Sequence, residues 1–351
     1  MNDDIDIANP VSQKGGPRMQ VLTWSVQWVA ATCFLLAGAI LPSHTLAQAR
    51  GEGGPPLRYH EVVQSEGVLS LVRADVAPIS ASEVTIEVVG DQRVIRSNGI
   101  AQHQTGVFPN ADNPNTISPQ NYTYTVSADP ELTGNPTPSR IFGVCLNGVP
   151  LDPGAAEFYH GDMSSGWQYE ALSGAVPLGL DDNYAHVQPT GAYHYHATPT
   201  LLLMGLRLSS ASHSPLVGWA ADGFPIYAVF GYGADGSGVR ELLPSYILRS
   251  GSRPDGEGQP GGVYDGTFSR DYEYVDGVGD FDQCNGMLTT TPEFPDGTYA
   301  YFLTNEWPFV PRCHMGTPSE DFSQGPGPGG PPTAIWRGSW GGVKQSGKAE
   351  R

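Results

Sequence analysis

Residues 183–196 read NYAHVQPTGAYHYH, and the alternation Tyr193-His194-Tyr195-His196 at the end decides how the segment is built. In a β-strand successive side chains point to opposite faces. His194 and His196 therefore share one face, and Tyr193 and Tyr195 share the other. Upstream, Gln188 to Gly191 carries the proline and glycine of a turn, which folds the segment into a hairpin. If the loop is Pro189-Thr190-Gly191, His186 lies opposite His194 and Tyr184 opposite His196, so three histidines share a face. A loop of two or four residues flips the parity and turns His186 away. The sequence leaves both registers open.

The rest of the chain agrees with a strand reading. Of 351 residues, 45 are glycine and 31 proline, a mix that disfavours long helices. SEVTIEVVG (82–90) and QRVIRSNGI (92–100) alternate as the strands of a hairpin, with Asn98-Gly99 as a turn signal. Asp-Gly pairs recur at 222, 235, 255, 265, 276 and 296, each a tight-turn site. Thr200 to Ser209 is the one helix candidate, and TLLLMGLRL reads equally as a buried strand. The expected fold is mainly β, an antiparallel β-sandwich or meander with long loops and little helix.

The chain starts with an export-type segment. Lys14 and Arg18 precede the apolar run VAATCFLLAGAIL (29–41), and Ala47-Gln48-Ala49 offers small residues for cleavage, so 1–49 is read as a signal peptide. An uncleaved anchor is the competing reading, because the apolar stretch extends back toward Val21. The expected organisation is signal 1–49, a Gly/Pro linker 50–56, a single β-rich domain 57–314 and a flexible Gly/Pro-rich tail 315–351. The product would be periplasmic or secreted, with no membrane attachment after cleavage.

The formal net charge is −18, which repels phosphate backbones and argues against nucleic acid as a partner. Export leaves Cys145, Cys284 and Cys313 in a compartment where disulfides persist. Cys313-His314-Met315 has the residue types of a copper site, but three adjacent residues cannot all turn toward one ion. A Cys284–Cys313 bridge is the better reading, stabilising by roughly 3–4 kcal/mol through loop closure. Cys145 is then the unpaired thiol.

Two metal sites can be read from residue types. His186, His194 and His196 fall within eleven residues, and neutral imidazoles on one strand suit copper or zinc. His103 and Asp182 are the nearest candidates for a further ligand and an orienting carboxylate. The competing reading is imidazoles satisfied by hydrogen bonds in a polar groove. In DYEYVDGVGDFDQCNG (271–286), Asp276, Asp280 and Asp282 offer oxygens for calcium, without the EF-hand spacing. No Gly-x-Ser-x-Gly elbow, phosphate loop, dinucleotide fingerprint or His-Glu-x-x-His is present, which argues against a serine hydrolase, NTPase or zincin.

LDDNYAHVQPTGAYHYHATP (180–199) resembles the signature of the YHYH-domain family of exported proteins. Similar stretches include SNGIAQHQTGVFPNADNPNTIS (97–118), VCLNGVPLDPGAAEFYHGDMSSGWQYEAL (144–172), GWAADGFPIYAVFGYG (218–233) and TPEFPDGTYAYFLTNEWPFVPRC (291–313). The resemblance implies export and a single β-rich domain, and it names no reaction. It draws attention to His103, Asp181, Asp182, His186, His194, His196 and Asp222. Ala197 stands where the family more usually has glycine, and Cys145 where it has alanine.

Two functional readings follow. The first is a secreted metalloprotein with copper or zinc on His194 and His196, completed by His186 and His103 and oriented by Asp182, with an open position if it is an enzyme. The second is a non-catalytic extracellular recognition or adhesion module rigidified by calcium and a disulfide.

Overall fold

The computed structural model describes residues 69–233 and 238–323. The signal reading of 1–49, the linker 50–56 and the tail beyond 323 lie outside those residues. Among the described residues no helix is long and apolar enough to cross a membrane.

The fold is mainly β. Strands β1 (Val84–Val89), β2 (Gln92–Ser97) and β3 (Tyr122–Ser127) form an antiparallel three-stranded sheet. The β1–β2 turn falls at Gly90-Asp91, where Gly90 has φ +65°, and Asn98-Gly99 instead redirects the chain after β2. A second, eight-stranded sheet comprises β4 (Gly143–Cys145), β5 (Pro150–Leu151), β6 (Ala185–Val187), β7 (Tyr193–Tyr195), β8 (Gly218–Ala220), β9 (Pro225–Ala228), β10 (Gly286–Thr289) and β11 (Thr298–Leu303). Its order is β10-β11-β9-β8-β4-β5-β7-β6. Most neighbours are antiparallel, but β9–β11 and β5–β7 are parallel, so this sheet is mixed and not a plain meander.

Period-two alternation assigns the faces. On β11, Tyr299, Tyr301 and Leu303 enter the main core, while Ala300 and Phe302 pack in a separate cluster with Tyr227 and Phe281. The two sheets meet where Ile95, Tyr124 and Val126 pack against Val144 and Trp219, the sandwich element of the expected fold. The 200–209 segment resolves as a short helix, Thr200–Gly205, with Leu202 and Leu203 buried. All five Asp-Gly pairs in the described residues have glycine at positive φ, consistent with their turn reading.

Residues 315–323, expected in the flexible tail, are instead held to the domain. Met315 N–H donates to the Tyr301 hydroxyl at 2.6 Å and Gly316 N–H to Asp222 Oδ2 at 2.9 Å. Phe322 is buried and stacks on Tyr124 at 4.3 Å between ring centroids. An apolar anchor on this short segment holds 315–323 to the domain despite the Gly/Pro-rich sequence that follows.

Cys284 and Cys313 form a disulfide, Cα to Cα 5.0 Å, and Cys145 is a buried free thiol. Burial raises the Cys145 pKa well above its usual value, so little reactive thiolate forms. Peptide mapping without reductant is therefore expected to return a Cys284–Cys313 linked pair and an unmodified Cys145. The Cys284→Ser, Cys313→Ser variant is expected to lose about 3–4 kcal/mol of unfolding free energy. A Cys145-containing linked peptide would overturn the assignment.

Candidate metal centre

The β6–β7 hairpin adopts the three-residue loop. His186 pairs with His194, Ala185 with Tyr195 and Val187 with Tyr193. Gln188 N–H donates to Ala192 O at 2.9 Å, and Gly191 N–H to Gln188 O at 2.8 Å. Gly191 has φ +85°, and a Cβ there would run into Ser118, so both conformation and space require glycine. Asn113 and Asn115 donate side-chain amides to Val187 O at 3.0 and 2.8 Å and hold β6 in register.

This register brings three imidazoles together. The Nε2 of His196 lies 3.1 Å from the Nε2 of His194 and 3.1 Å from that of His186. The ring centroids form a near-equilateral triangle with sides of 4.7, 4.8 and 4.8 Å. His186 Nδ1 faces Leu178 O at 2.8 Å and His194 Nδ1 faces Ala192 O at 3.3 Å. Carbonyls only accept, so these contacts assign the proton to Nδ1 in both rings and leave Nε2 as a bare acceptor. His196 Nδ1 has no partner, so its proton can sit on Nε2 and be donated to one neighbour, whereas a cation between the three nitrogens would satisfy all of them at once. A tetrahedral zinc with Zn–N of about 2.0–2.1 Å sets its ligands about 3.3 Å apart, close to the two 3.1 Å Nε2 separations at His196. Among the described residues this is the only group of three or more His, Cys, Asp or Glu side chains gathered closely enough to hold a metal. A tetrahedral ion held by these three ligands would keep one position open.

All three imidazoles are held below the usual histidine pKa, first by burial; for His194 and His196 the neighbouring imidazoles add to it. The unfolded chain takes up protons near pH 6.5 that the folded state refuses. Stability of the metal-free protein is thus fully present above that pH and falls as pH drops through it, by up to about 1.4 kcal/mol per histidine per pH unit. Denaturant unfolding at pH 7.5 and 5.5 should show a loss of several kcal/mol in the parent and a smaller loss in a His194→Ala, His196→Ala variant. Parallel losses would remove the triad as the cause.

His103 is not brought to this face. Its Nε2 meets the Tyr195 hydroxyl at 2.6 Å and its Nδ1 meets Gln104 O at 2.7 Å, on the tyrosine side of the strand. The loop that carries it crosses the opposite face of the sheet, so it cannot complete the triad. Tyr193 and Tyr195 are fully buried and also hydrogen-bonded: Asn147 Nδ2 donates to Tyr195 at 2.9 Å, and the Tyr193 hydroxyl donates to Asp181 Oδ2 at 2.7 Å. Asp181 also accepts from the N–H groups of Gly106 and Asn183, which ties it to the tyrosine side. Asp182 accepts from Ala74 N–H at 3.2 Å, and the orienting role expected of it is filled by the Leu178 and Ala192 carbonyls. Asp222 accepts from Tyr301 at 2.6 Å and from Gly316, a structural clasp.

The acidic run is not gathered into an oxygen cage. Asp280 pairs with the Arg240 guanidinium and accepts from Leu243 N–H at 2.8 Å. Asp282 accepts from Cys284 N–H at 2.8 Å and from the Tyr299 hydroxyl at 2.8 Å, while Asp276 accepts from Tyr274 at 3.0 Å. Protein donors take up carboxylates that the sequence alone offered to calcium. His314 Nε2 meets Phe142 O at 2.8 Å, away from the triad.

One carboxylate next to the YHYH strand in the chain's pairing went unread in the sequence. Leu151 on β5 pairs in parallel with Tyr195, and both enter the main core. The next residue, Asp152, lies past the end of β5 and donates its N–H to Tyr195 O at 2.9 Å. Burial pushes its carboxyl up to about 7, opposed by the Gly154 N–H and by the charges of Arg140 and Arg312.

A family model described as YHYH protein matches residues 123–316, which contain the hairpin, Asp152 and the disulfide. No curated protein and no solved structure matches the chain. The match spans more than half of the sequence and includes the tetrapeptide that builds the triad, so the chain belongs to the YHYH protein family.

Proposed function

We propose that this YHYH protein acts outside the cytoplasm as a metal-binding protein, with copper or zinc held by His186, His194 and His196. The observation that carries this reading is the convergence of three imidazoles, with His196 Nε2 at 3.1 Å from the Nε2 of both His194 and His186. Neutral imidazoles suit these borderline ions, and among the described residues no carboxylate is gathered with them, which disfavours a hard cation. The disulfide and the export-type segment 1–49 support an oxidising, extracytoplasmic setting.

The chain's own groups prepare the site. Carbonyl contacts from Leu178 and Ala192 fix two ring orientations, and His194 and His196 are each only 1% exposed, which excludes water from their side of the centre. His186 is half-buried and gives the exchange route. At the open position zinc would polarise an oxygen ligand or activate water, and copper would exchange electrons. Elemental analysis of the mature protein, purified from its native compartment without an affinity tag, should find a transition metal at about unit stoichiometry. Calcium alone, or no metal, would overturn the proposal.

A further inference from the structure

The tyrosine face of the YHYH strand carries its own pair of titratable groups. Tyr195 is fully buried, and its hydroxyl has two partners, Asn147 Nδ2 at 2.9 Å and His103 Nε2 at 2.6 Å. The outer contacts fix where the protons lie. His103 Nδ1 faces Gln104 O at 2.7 Å, so it carries the ring proton and Nε2 is an acceptor. The Asn147 side-chain oxygen accepts from Val149 N–H at 3.3 Å, which leaves the amide nitrogen to donate to Tyr195. The phenol therefore donates to His103, and its proton points at a base over a short contact. His103 is half-buried, so that base is open to solvent on one side. Tyr193 differs, because it donates to Asp181 Oδ2 at 2.7 Å, a fully buried carboxylate oxygen that also accepts from Gly106 N–H. A proton moved there stays sealed in the core.

We infer that Tyr195 and His103 form a proton-coupled redox site, in which a metal complex acting as a one-electron oxidant takes an electron from the phenol while the hydroxyl proton passes to His103 Nε2. The O–H bond breaks and an N–H bond forms. The products are a neutral phenoxyl radical, a His103 imidazolium and the oxidant reduced by one electron. Coupling the two transfers avoids two costly intermediates, since electron loss alone would leave a cation radical in the core and proton loss alone a buried phenolate. Burial already holds the phenol proton in place, lifting the Tyr195 pKa well above its usual value. The positive charge ends instead on the half-buried imidazole, the more exposed partner. Burial lowers the His103 pKa, so the imidazolium returns its proton when the radical is reduced, and the site is reversible. Tyr195 is bonded on either side to His194 and His196, which sets an oxidising equivalent held there one residue from two imidazoles of the opposite face. The pair itself requires no metal on the three histidines.

Metal-free protein oxidised with photogenerated tris(bipyridine)ruthenium(III), aged, frozen and read by electron paramagnetic resonance tests this. Radicals at exposed tyrosines decay by pairing between molecules, so the enclosed phenoxyl is the one that persists. The parent should keep a phenoxyl signal that is lost in Tyr195→Phe and in His103→Gln and unchanged in Tyr193→Phe. Glutamine at 103 still offers the phenol an acceptor but cannot take its proton, which separates proton transfer from packing. Near-ultraviolet circular dichroism checks the fold of each variant, and if Tyr195→Phe does not fold, His103→Gln decides. A persistent signal of parental size in folded Tyr195→Phe or in His103→Gln would overturn the inference, as would a parent with no persistent signal. Loss in Tyr193→Phe alone would overturn it in favour of the Asp181 pair. Metal binding is read separately by zinc titration of the parent, so either reading can fail without the other.

Discussion

Zinc or copper added to the metal-free protein is expected to raise its melting temperature by about 10 °C, and to leave a His194→Ala, His196→Ala variant unmoved. An ion that binds only the folded state stabilises it by about 4 kcal/mol when its free concentration is a thousandfold above Kd. For a domain of this size each kcal/mol moves the midpoint by about 2–4 °C. The double variant keeps only His186, which cannot chelate. The gain should persist at pH 5.5, because burial already holds the folded imidazoles neutral and little proton competition remains. Scanning calorimetry of both proteins at both pH values checks this. Equal shifts in parent and variant would place the metal elsewhere and leave the three histidines as a structural cluster.

Alternation made the division of the YHYH strand legible from the sequence, since period two follows from strand geometry alone. Register was not legible, because two loop lengths reverse the face of His186. Contacts from distant residues settle it: Ser118 against Gly191, and Asn113 and Asn115 on Val187 O. His103 was credible as a ligand by residue type, yet its loop crosses the far face and delivers the imidazole to a phenol. The aspartates at 280 and 282 looked free because the groups that occupy them, Arg240 and Tyr299, lie outside the acidic run. Asp152 sits in a Leu-Asp-Pro-Gly turn with no metal-site signal. Only the parallel pairing of β5 with β7, a long-range contact invisible to local pattern, brings its backbone to Tyr195.

Tyr195→Ala is expected to be the most destabilising single change on this strand. The side chain is fully buried in the main core, so truncation opens a cavity worth about 3–5 kcal/mol. The hydroxyl adds a separate contribution, which Tyr195→Phe isolates. Removing it leaves Asn147 Nδ2 buried without its acceptor and His103 Nε2 without its partner, at a cost of about 1–3 kcal/mol. A tyrosine that only packs would tolerate phenylalanine almost without loss. The two faces also predict different readouts, because Tyr195→Phe leaves all three imidazoles and their carbonyl contacts in place. Its zinc affinity should match the parent while its denaturation midpoint falls. Urea unfolding of parent, Tyr195→Phe and Tyr195→Ala, paired with zinc titration of the folded Phe variant, separates the contributions. A Phe variant as stable as the parent would mean that the Asn147–Tyr195–His103 network contributes nothing. A Phe variant that lost zinc would mean that the two faces of the strand are not independent.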